Sequence, residues 1–420
     1  MAPVQTQSGY GARSRDIAIS LINLGHNVEI ISVPWGDTPM TGLNLKSEQH
    51  QQIKTRLVTA IHQKPDIFIH VGIPNEFQTI GVVNIGITAG IETNICRPEW
   101  IEGCNKMDLV LTSSVHSANV FKSINFDKVD NNTQQTIETL KLQVPCEVLF
   151  EGVNDDVYRK KPSTFIDLNN IKEDFCFLFV GHWLQGDLGH DRKDVGMLIH
   201  TFLNTFKKKG KNNRPALILK TSHANFSNLE LHEIKRKINY IQELVRTQTQ
   251  WDGELPSIYV LHGDLTDTKM NELYNHDKVK AMISFTKGEG FGRPLLEFTL
   301  TGKPVIAPSW SGQLDFLDPE YSYLLPGTIT QVHPSAANDW ILKEGGWFTV
   351  NYTYASQIME SCHKMYESFY EKTRNHIRIT KSKYTMKKMQ DKLEEILNNL
   401  PSFLKPKNEF VQIKLPQRIS

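Results

Sequence analysis

The run FCFLFV at positions 175–180 constrains the fold more than any other stretch of the sequence. An almost purely apolar run leaves no wet face on the strand it forms, so that strand is buried on both sides, as in a parallel sheet covered by helices above and below. The neighbouring pattern agrees. Short apolar runs at 216–221, 257–261 and 279–285 alternate with helical periodicity at 195–207 and 268–275, the order that α/β construction requires.

The first half reads in the same way, with strands expected at 27–33, 66–70, 82–88, 108–112 and 147–150 and helices at 14–24, stopped by Gly25, and at 114–122. A polar stretch, 154–174, carries Lys160-Lys161-Pro162 and reads as a connection between two α/β units. Amphipathic segments at 357–373 and 380–399 precede a tail containing proline and lysine. The expected division is therefore an N-terminal Rossmann-like domain at 1–156, a second at 157–355, and C-terminal helices and tail at 356–420. One feature departs from this plan. Only MAPVQTQ precedes the glycine loop Ser8-Gly9-Tyr10-Gly11, so the first strand of the first sheet is minimal or missing.

Composition narrows the function classes. A formal charge of +1 gives no overall attraction to nucleic acid or membrane, although Lys207-Lys208-Lys209 and Lys387-Lys388 are local basic runs. The five cysteines (Cys96, Cys104, Cys146, Cys176 and Cys362) are odd in number and lack CxxC spacing, which argues against a disulfide framework and a structural zinc site and fits a reducing cytoplasm. No apolar run is long enough for a transmembrane segment. The sequons at Asn131, Asn225 and Asn351 then read as chance matches.

The chemistry is concentrated in TKGEGFGRPLLEF, residues 286–298, where Glu289 and Glu297 stand eight positions apart. Glu289 lies in the loop that follows a strand, where ligands bind in open α/β sheets. Pro294 suits a first helical position and Gly302 a helix end, so 294–301 is expected to be a short helix with Glu297 in its first turn. Gly288, Gly290 and Gly292 bring backbone N–H groups close to a ligand, and with the helix start they suit an anion such as phosphate. Taken alone, Glu297 is equally a carboxylate complementing the helix dipole. Two carboxylates without a histidine make a poor zinc site, and spacing alone does not establish a glycosidase pair.

The run GEGFGRPLLEFTLTGKPVIAPSWSG resembles the E-x7-E region of retaining glycosyltransferases of the GT-B architecture, the family 4 group. The resemblance continues through SGYGARSRDI, ETNICRPEWIEGCNKMDLVLTSS, EVLFEGVND, FLFVGHW and DRKDVGMLIHTF, in the expected order over most of the chain. It implies two Rossmann-like α/β domains facing each other across a cleft, with C-terminal helices packing back toward the first domain. It also implies transfer of a sugar from a nucleotide-diphosphate sugar to an acceptor hydroxyl with retention of configuration, without a permanently bound cofactor or a metal.

By the same resemblance, Glu289 holds sugar hydroxyls and Glu297 the ribose. The backbone of Gly290, Phe291 and Gly292 meets sugar and phosphate, Lys193 binds phosphate, and Gly9 and Gly11 approach the diphosphate from the other domain. Where the family commonly has an arginine after the glycine that ends the preceding strand, here Gly181 is followed by His182. Arg192, Lys220 and Arg293 are therefore the candidates for a second cation. Where many members have a histidine in the first domain, this chain has Ala89 and Gly90, which makes Glu92 the nearest ionisable group and a site candidate; its alternative is a helix-start carboxylate. His70 and His116 are expected to be structural. The acceptor (glycan, lipid-linked glycan, protein or modified nucleic acid) is not specified. The readings set against transfer to an ordinary acceptor are a degenerate carbohydrate-binding or structural module and, more narrowly, glycosylation of hydroxylated DNA bases.

Overall fold

The computed structural model describes residues 1–129, 133, 135–163, 165–223 and 227–400; Asn131, Asn132, Asn225 and the tail from 401 onward lie outside the described residues. The first half contains helices α1 (Gly9–Asn23), α2 (Glu48–Lys54), α3 (Pro98–Asn105) and α4 (Val115–Ser123). Its strands are β1 (Ile67–Val71), β2 (Val83–Thr88), β3 (Leu109–Thr112), the hairpin β4 (Asn125–Val129) with β5 (Thr136–Lys141), and β6 (Cys146–Val148). Strands β1, β2, β3 and β6 pair in parallel in that order.

The sheet continues beyond β1 through isolated contacts. The Met1 amino group donates to the Ile69 carbonyl at 2.8 Å, and parallel bridges join Ala2 to Ser32 and Ile30 to Leu57. Met1 and Ala2 thus form the minimal first strand. Segment 27–33, expected as a regular strand, makes bridges at Ile30 and Ser32 instead, because a neighbour this short supplies few ladder bonds. Helix α1 starts earlier than its apolar spacing suggests: the Ser8 hydroxyl accepts from the Gly11 N–H, so Gly9 and Gly11 form the first helical turn, not a loop.

The second half contains β7 (Cys176–His182), α5 (Val195–Phe206), β8 (Ala216–Ser222), α6 (Asn228–Thr249), β9 (Ile258–Leu261), α7 (Asp267–Asn275), β10 (Val279–Ile283), α8 (Arg293–Thr299), β11 (Val305–Pro308) and β12 (Tyr323–Leu325). The sheet order β12-β11-β10-β7-β8-β9 is all parallel. Renumbered within the sheet, this is the 3-2-1-4-5-6 order of a Rossmann fold, whose switch point lies between β7 and β10. The expected burial of FCFLFV on both faces holds. Phe177 and Phe179 pack with Phe202 and Ile238 on one side of β7, while Cys176 and Leu178 pack with Leu273 and Leu296 on the other. The polar stretch before β7 docks on this second face through Tyr158, Leu168 and Ile171.

An antiparallel hairpin, β13 (Gly327–Gln331) with β14 (Gly346–Val350), leads to helices α9 (Tyr352–Lys364), α10 (Tyr366–Thr373), α11 (His376–Lys383) and α12 (Met386–Asn398). Each amphipathic segment expected as one helix is therefore two, the first broken at Met365, whose ψ of 45° leaves the helical range. Asn351 caps α9 by accepting from the Tyr354 N–H. Helix α12 presents Met389, Leu393 and Ile396 at helical spacing, and these buried residues complete the core of the first domain beside Ile17 of α1. Of the described C-terminal helices, only α12 packs back on the first domain; α9 and α10 join the core of the second through Met359, Cys362 and Phe369. Leu393→Ala should cost ~2–5 kcal/mol, read as a lower urea midpoint of the first domain; an unchanged midpoint would show that α12 contributes nothing to that core.

Candidate functional site

The loops that follow β7 and β10 leave the sheet on either side of its switch point, and each carries ionisable groups into the cleft. Lys193 of the first loop pairs through Nζ with Glu289 Oε1 of the second. Arg192 Nη1 stands 3.2 Å from Glu92 Oε1 of the other domain and 3.8 Å from Glu289 Oε2. Two cations and two carboxylates are thus brought together from three separate chain segments. Burial alone would push the Glu289 carboxyl up, but Lys193 and Arg192 outweigh it and hold the group below the usual carboxylate range. Burial pulls the Lys193 ammonium down, opposed by Glu289.

Backbone contacts fix these loops. The Lys287 N–H donates to the Arg192 carbonyl at 2.8 Å, and the Glu289 N–H donates to Ser311 Oγ at 3.0 Å. A Cβ at position 288 would stand 1.9 Å from the Glu92 carbonyl oxygen, and one at 290 would stand 2.6 Å from that of Ala89. These glycines therefore permit the first-domain loop 89–92 to lie directly on the Glu289 loop. Gly292, with φ of 100°, turns the chain into α8 in a conformation that L side chains disfavour.

Glu297 belongs to a second group, also built across the domains. Its Oε1 is 3.2 Å from Arg293 Nε, its Oε2 accepts from the Tyr274 hydroxyl at 3.1 Å, and Arg293 Nη1 is 2.6 Å from Asp16 Oδ2 of α1. Burial pushes the Glu297 carboxyl up to about 7 against the pull of Arg293. Burial likewise raises Glu151, which faces the charges of Arg13 and Arg293.

The other expected site residues have the following surroundings. Lys220 donates to the Gly263 carbonyl at 2.7 Å. Phe291 is 2% exposed and packs on Phe316, so only its backbone is left to face a ligand. Gly11 is buried against Thr6, whereas Gly9 is exposed at the start of α1. Gly181 is close to Lys193: a Cβ there would stand 3.6 Å from Lys193 Cε. His182, one residue on, contacts Ser222 Oγ at 3.2 Å; desolvation and the charges of Lys193, Arg192 and Lys220 hold it below its ordinary pKa. His70 accepts from the Gln78 N–H inside the first domain, and His116 packs edge-on against Trp310 across the cleft. Sequence reasoning missed Asp16, Ser311 and the Lys287–Asp194 pair; Asp16 and Ser311 lie within the stretches SGYGARSRDI and PSWSG, so their neighbourhood was marked though their roles were not.

A cavity of about 410 Å³ in the first domain, lined by residues that include Val28, Ile30, Lys64 and Ile67, contains none of these charged groups. A cleft pocket of about 160 Å³ is lined by Leu184, Gln185, Arg192, Ala336, Asn338 and Ile341. Among the described residues no cluster of three His, Cys, Asp or Glu is arranged to hold a metal ion, and no helix is long and apolar enough to cross a membrane. All five cysteines are free and buried. The basic runs are partly engaged: Lys207 donates to Asn204, Lys209 pairs with Glu360 at 3.5 Å and Lys387 with Asp391 at 2.7 Å.

No family model and no curated protein matches the sequence. Solved structures do resemble the fold. A glycosyltransferase from Rickettsia africae superposes with a TM-score of 0.56 at 13% identity, over 94% of this chain and 96% of that one. Sucrose-phosphate synthase from Thermosynechococcus elongatus superposes with a TM-score of 0.57 at 11% identity, over 94% of each chain. At these identities the likeness establishes the architecture, which is GT-B: two Rossmann-like domains facing each other across a cleft.

The Glu297 environment predicts a pH effect. Unfolded, its carboxyl ionises near 4.5; folded, it keeps its proton to about 7. The folded state binds the additional proton between those values, so this contribution to stability is complete below pH 4.5 and is lost as pH rises through about 7. Over that window wild-type stability should fall relative to Glu297→Gln, measured by urea denaturation. Parallel pH profiles for the two proteins would refute the assignment.

Proposed function

We propose that this protein is a glycosyltransferase that moves a sugar from a nucleotide-diphosphate sugar to an acceptor hydroxyl with retention of configuration. The observation that carries the reading is the pairing of Lys193 and Arg192 with Glu289 at the switch point of a GT-B fold. In this arrangement the site neutralises itself before the donor arrives. The donor then takes over both halves of the pairing: its diphosphate attracts the two cations, and its sugar hydroxyls donate to the Glu289 oxygens so released. Glu297, held by Tyr274 and Arg293, accepts from the ribose hydroxyls. Glu92 and the backbone of Gly290 to Gly292 complete the sugar side, with Gly9 reaching in from the first domain.

In the transfer step the acceptor oxygen forms a bond to the anomeric carbon on the face the diphosphate leaves. The bond between that carbon and the phosphate oxygen breaks with its electron pair on oxygen, and the acceptor proton passes to the same oxygen. No protein nucleophile is required. Lys193 and Arg192 stabilise the charge growing on the leaving diphosphate, in the manner of preorganised oxyanion partners, and no metal is required for that role. The working division is 1–156 for the acceptor side, 157–355 for the donor side and 356–420 for the returning helices and tail. The free cysteines favour a reducing compartment, the cytoplasm.

Screening nucleotide sugars by thermal shift tests the donor assignment without knowledge of the acceptor. A true donor at about 100 times its Kd should stabilise by ~2.7 kcal/mol, and Glu297→Ala should abolish the shift. With that donor, Lys193→Ala should lower kcat by roughly 10²–10³-fold. If no nucleotide sugar stabilises the protein and none yields nucleoside diphosphate, the reading fails.

A further inference from the structure

Two charged side chains lie deeper than the cluster that lines the cleft. Asp194 and Lys287 are 0% and 1% exposed, and Lys287 Nζ stands 3.3 Å from Asp194 Oδ2. The same carboxylate oxygen accepts from the Tyr352 hydroxyl at 2.6 Å, and the ammonium donates to Thr349 Oγ1 at 3.0 Å and sits 5.9 Å from the Trp347 ring. Both residues therefore face the interior beneath β14 and α9, away from the ligand side. A buried ion pair is a poor source of stability, because apolar residues of similar volume commonly do as well or better. Its position in the chain is the informative property.

Asp194 directly follows Lys193, and Lys287 precedes Glu289 by two residues. The Lys287 N–H also donates to the Arg192 carbonyl at 2.8 Å, so a backbone bond and an ion pair bracket Lys193 on either side. Asp194 has φ 51° and ψ 36°, in the left-handed region that an L side chain avoids unless its surroundings impose it. At that turn the two adjacent side chains part, Lys193 to Glu289 and Asp194 to Lys287 and Tyr352.

We propose that Asp194 and Lys287 are a positioning pair, which clamps the loops after β7 and β10 together from beneath and so fixes the Lys193 ammonium against Glu289. The proposal has two consequences. The geometric one, a held Lys193, is independent of the protein's activity. The kinetic one rests on the transferase reading given above: the pair acts on transfer only through Lys193.

Both consequences are testable on the full-length protein. Lys193 acetylation by acetic anhydride, followed by mass spectrometry, should be at least about 5-fold faster in Asp194→Asn than in wild type, while Lys220 in the same domain labels at an unchanged rate. With a donor identified, Asp194→Asn should lower kcat roughly 10–100-fold, as small misplacements of a reacting group do. In a Lys193→Ala background it should add no further loss, whereas a general structural defect would add its full effect. Asp194→Asn leaves the Lys287 charge buried alone; if that variant does not fold, Asp194→Asn with Lys287→Met removes both charges and should give the same labelling and the same lack of additivity. Unchanged Lys193 labelling in the folded variant, or an additive loss in the Lys193→Ala background, overturns the proposal. A wild type with no transferase activity but with Lys193 unmasked by the substitution would overturn the functional reading and leave the positioning pair standing.

Discussion

The cleft depends on charge that must be balanced whether or not a ligand is present. Unit charges of one sign, partly withdrawn from water, are costly to hold, and partners must come from within reach. Here the partners come from different segments: Lys193 from the loop after β7, Glu289 from the loop after β10, Glu92 from the first domain. Each element must therefore be in place before the others are neutralised. The charges are thus a consequence of the fold and a constraint on it.

The parallel sheet explains why these segments can converge. Every strand of β7 to β12 runs the same way, so their following loops emerge at one edge, and at the switch point two adjacent loops part to opposite sides. The first domain repeats this arrangement with a first strand of only Met1 and Ala2, completed by bridges to Ser32 and by hydrogen bonds to β1. Its loop 89–92 closes the cleft from the facing side, at a distance that tolerates no side chain at 288 or 290. The glycines expected to admit a phosphate are, at those two positions, first of all sites of contact between domains.

Much of this was legible in the sequence because it depends on local pattern. The apolar run at β7 announced burial on both faces, and Pro294 and Gly302 bracketed α8 and its neighbourhood to within two residues. What escaped depends on distance along the chain. Asp16 and Arg293 are 277 positions apart, and nothing in either neighbourhood names the other. Asp194 reads as an ordinary polar residue at a helix start, and only the fold reveals that Lys287 lies beside it beneath the site. Helix α6 has 22 residues but a polar mean hydropathy, so its buried stripe of Ile234, Ile238, Ile241 and Val245 is diluted by charge. Phe291, between two glycines expected at the site, buries its ring in the core.

Long-range contacts also decide how the two domains are joined. The chain passes between them near Val153 and returns near Thr385, and the two crossings are bonded side by side: Val153 donates to the Tyr384 carbonyl at 2.8 Å, and Met386 donates to that of Val153 at 2.9 Å. Because the two crossings lie side by side, the covalent connection between the domains is confined to one narrow place. The contacts between the domains include Arg192 with Glu92 and Arg293 with Asp16, and in both the cation belongs to the second domain and the carboxylate to the first. Each arginine also has a carboxylate partner within its own domain, Glu289 for Arg192 and Glu297 for Arg293. The charges that join the domains are thus divided by sign, with the cations on the second domain and the carboxylates on the first.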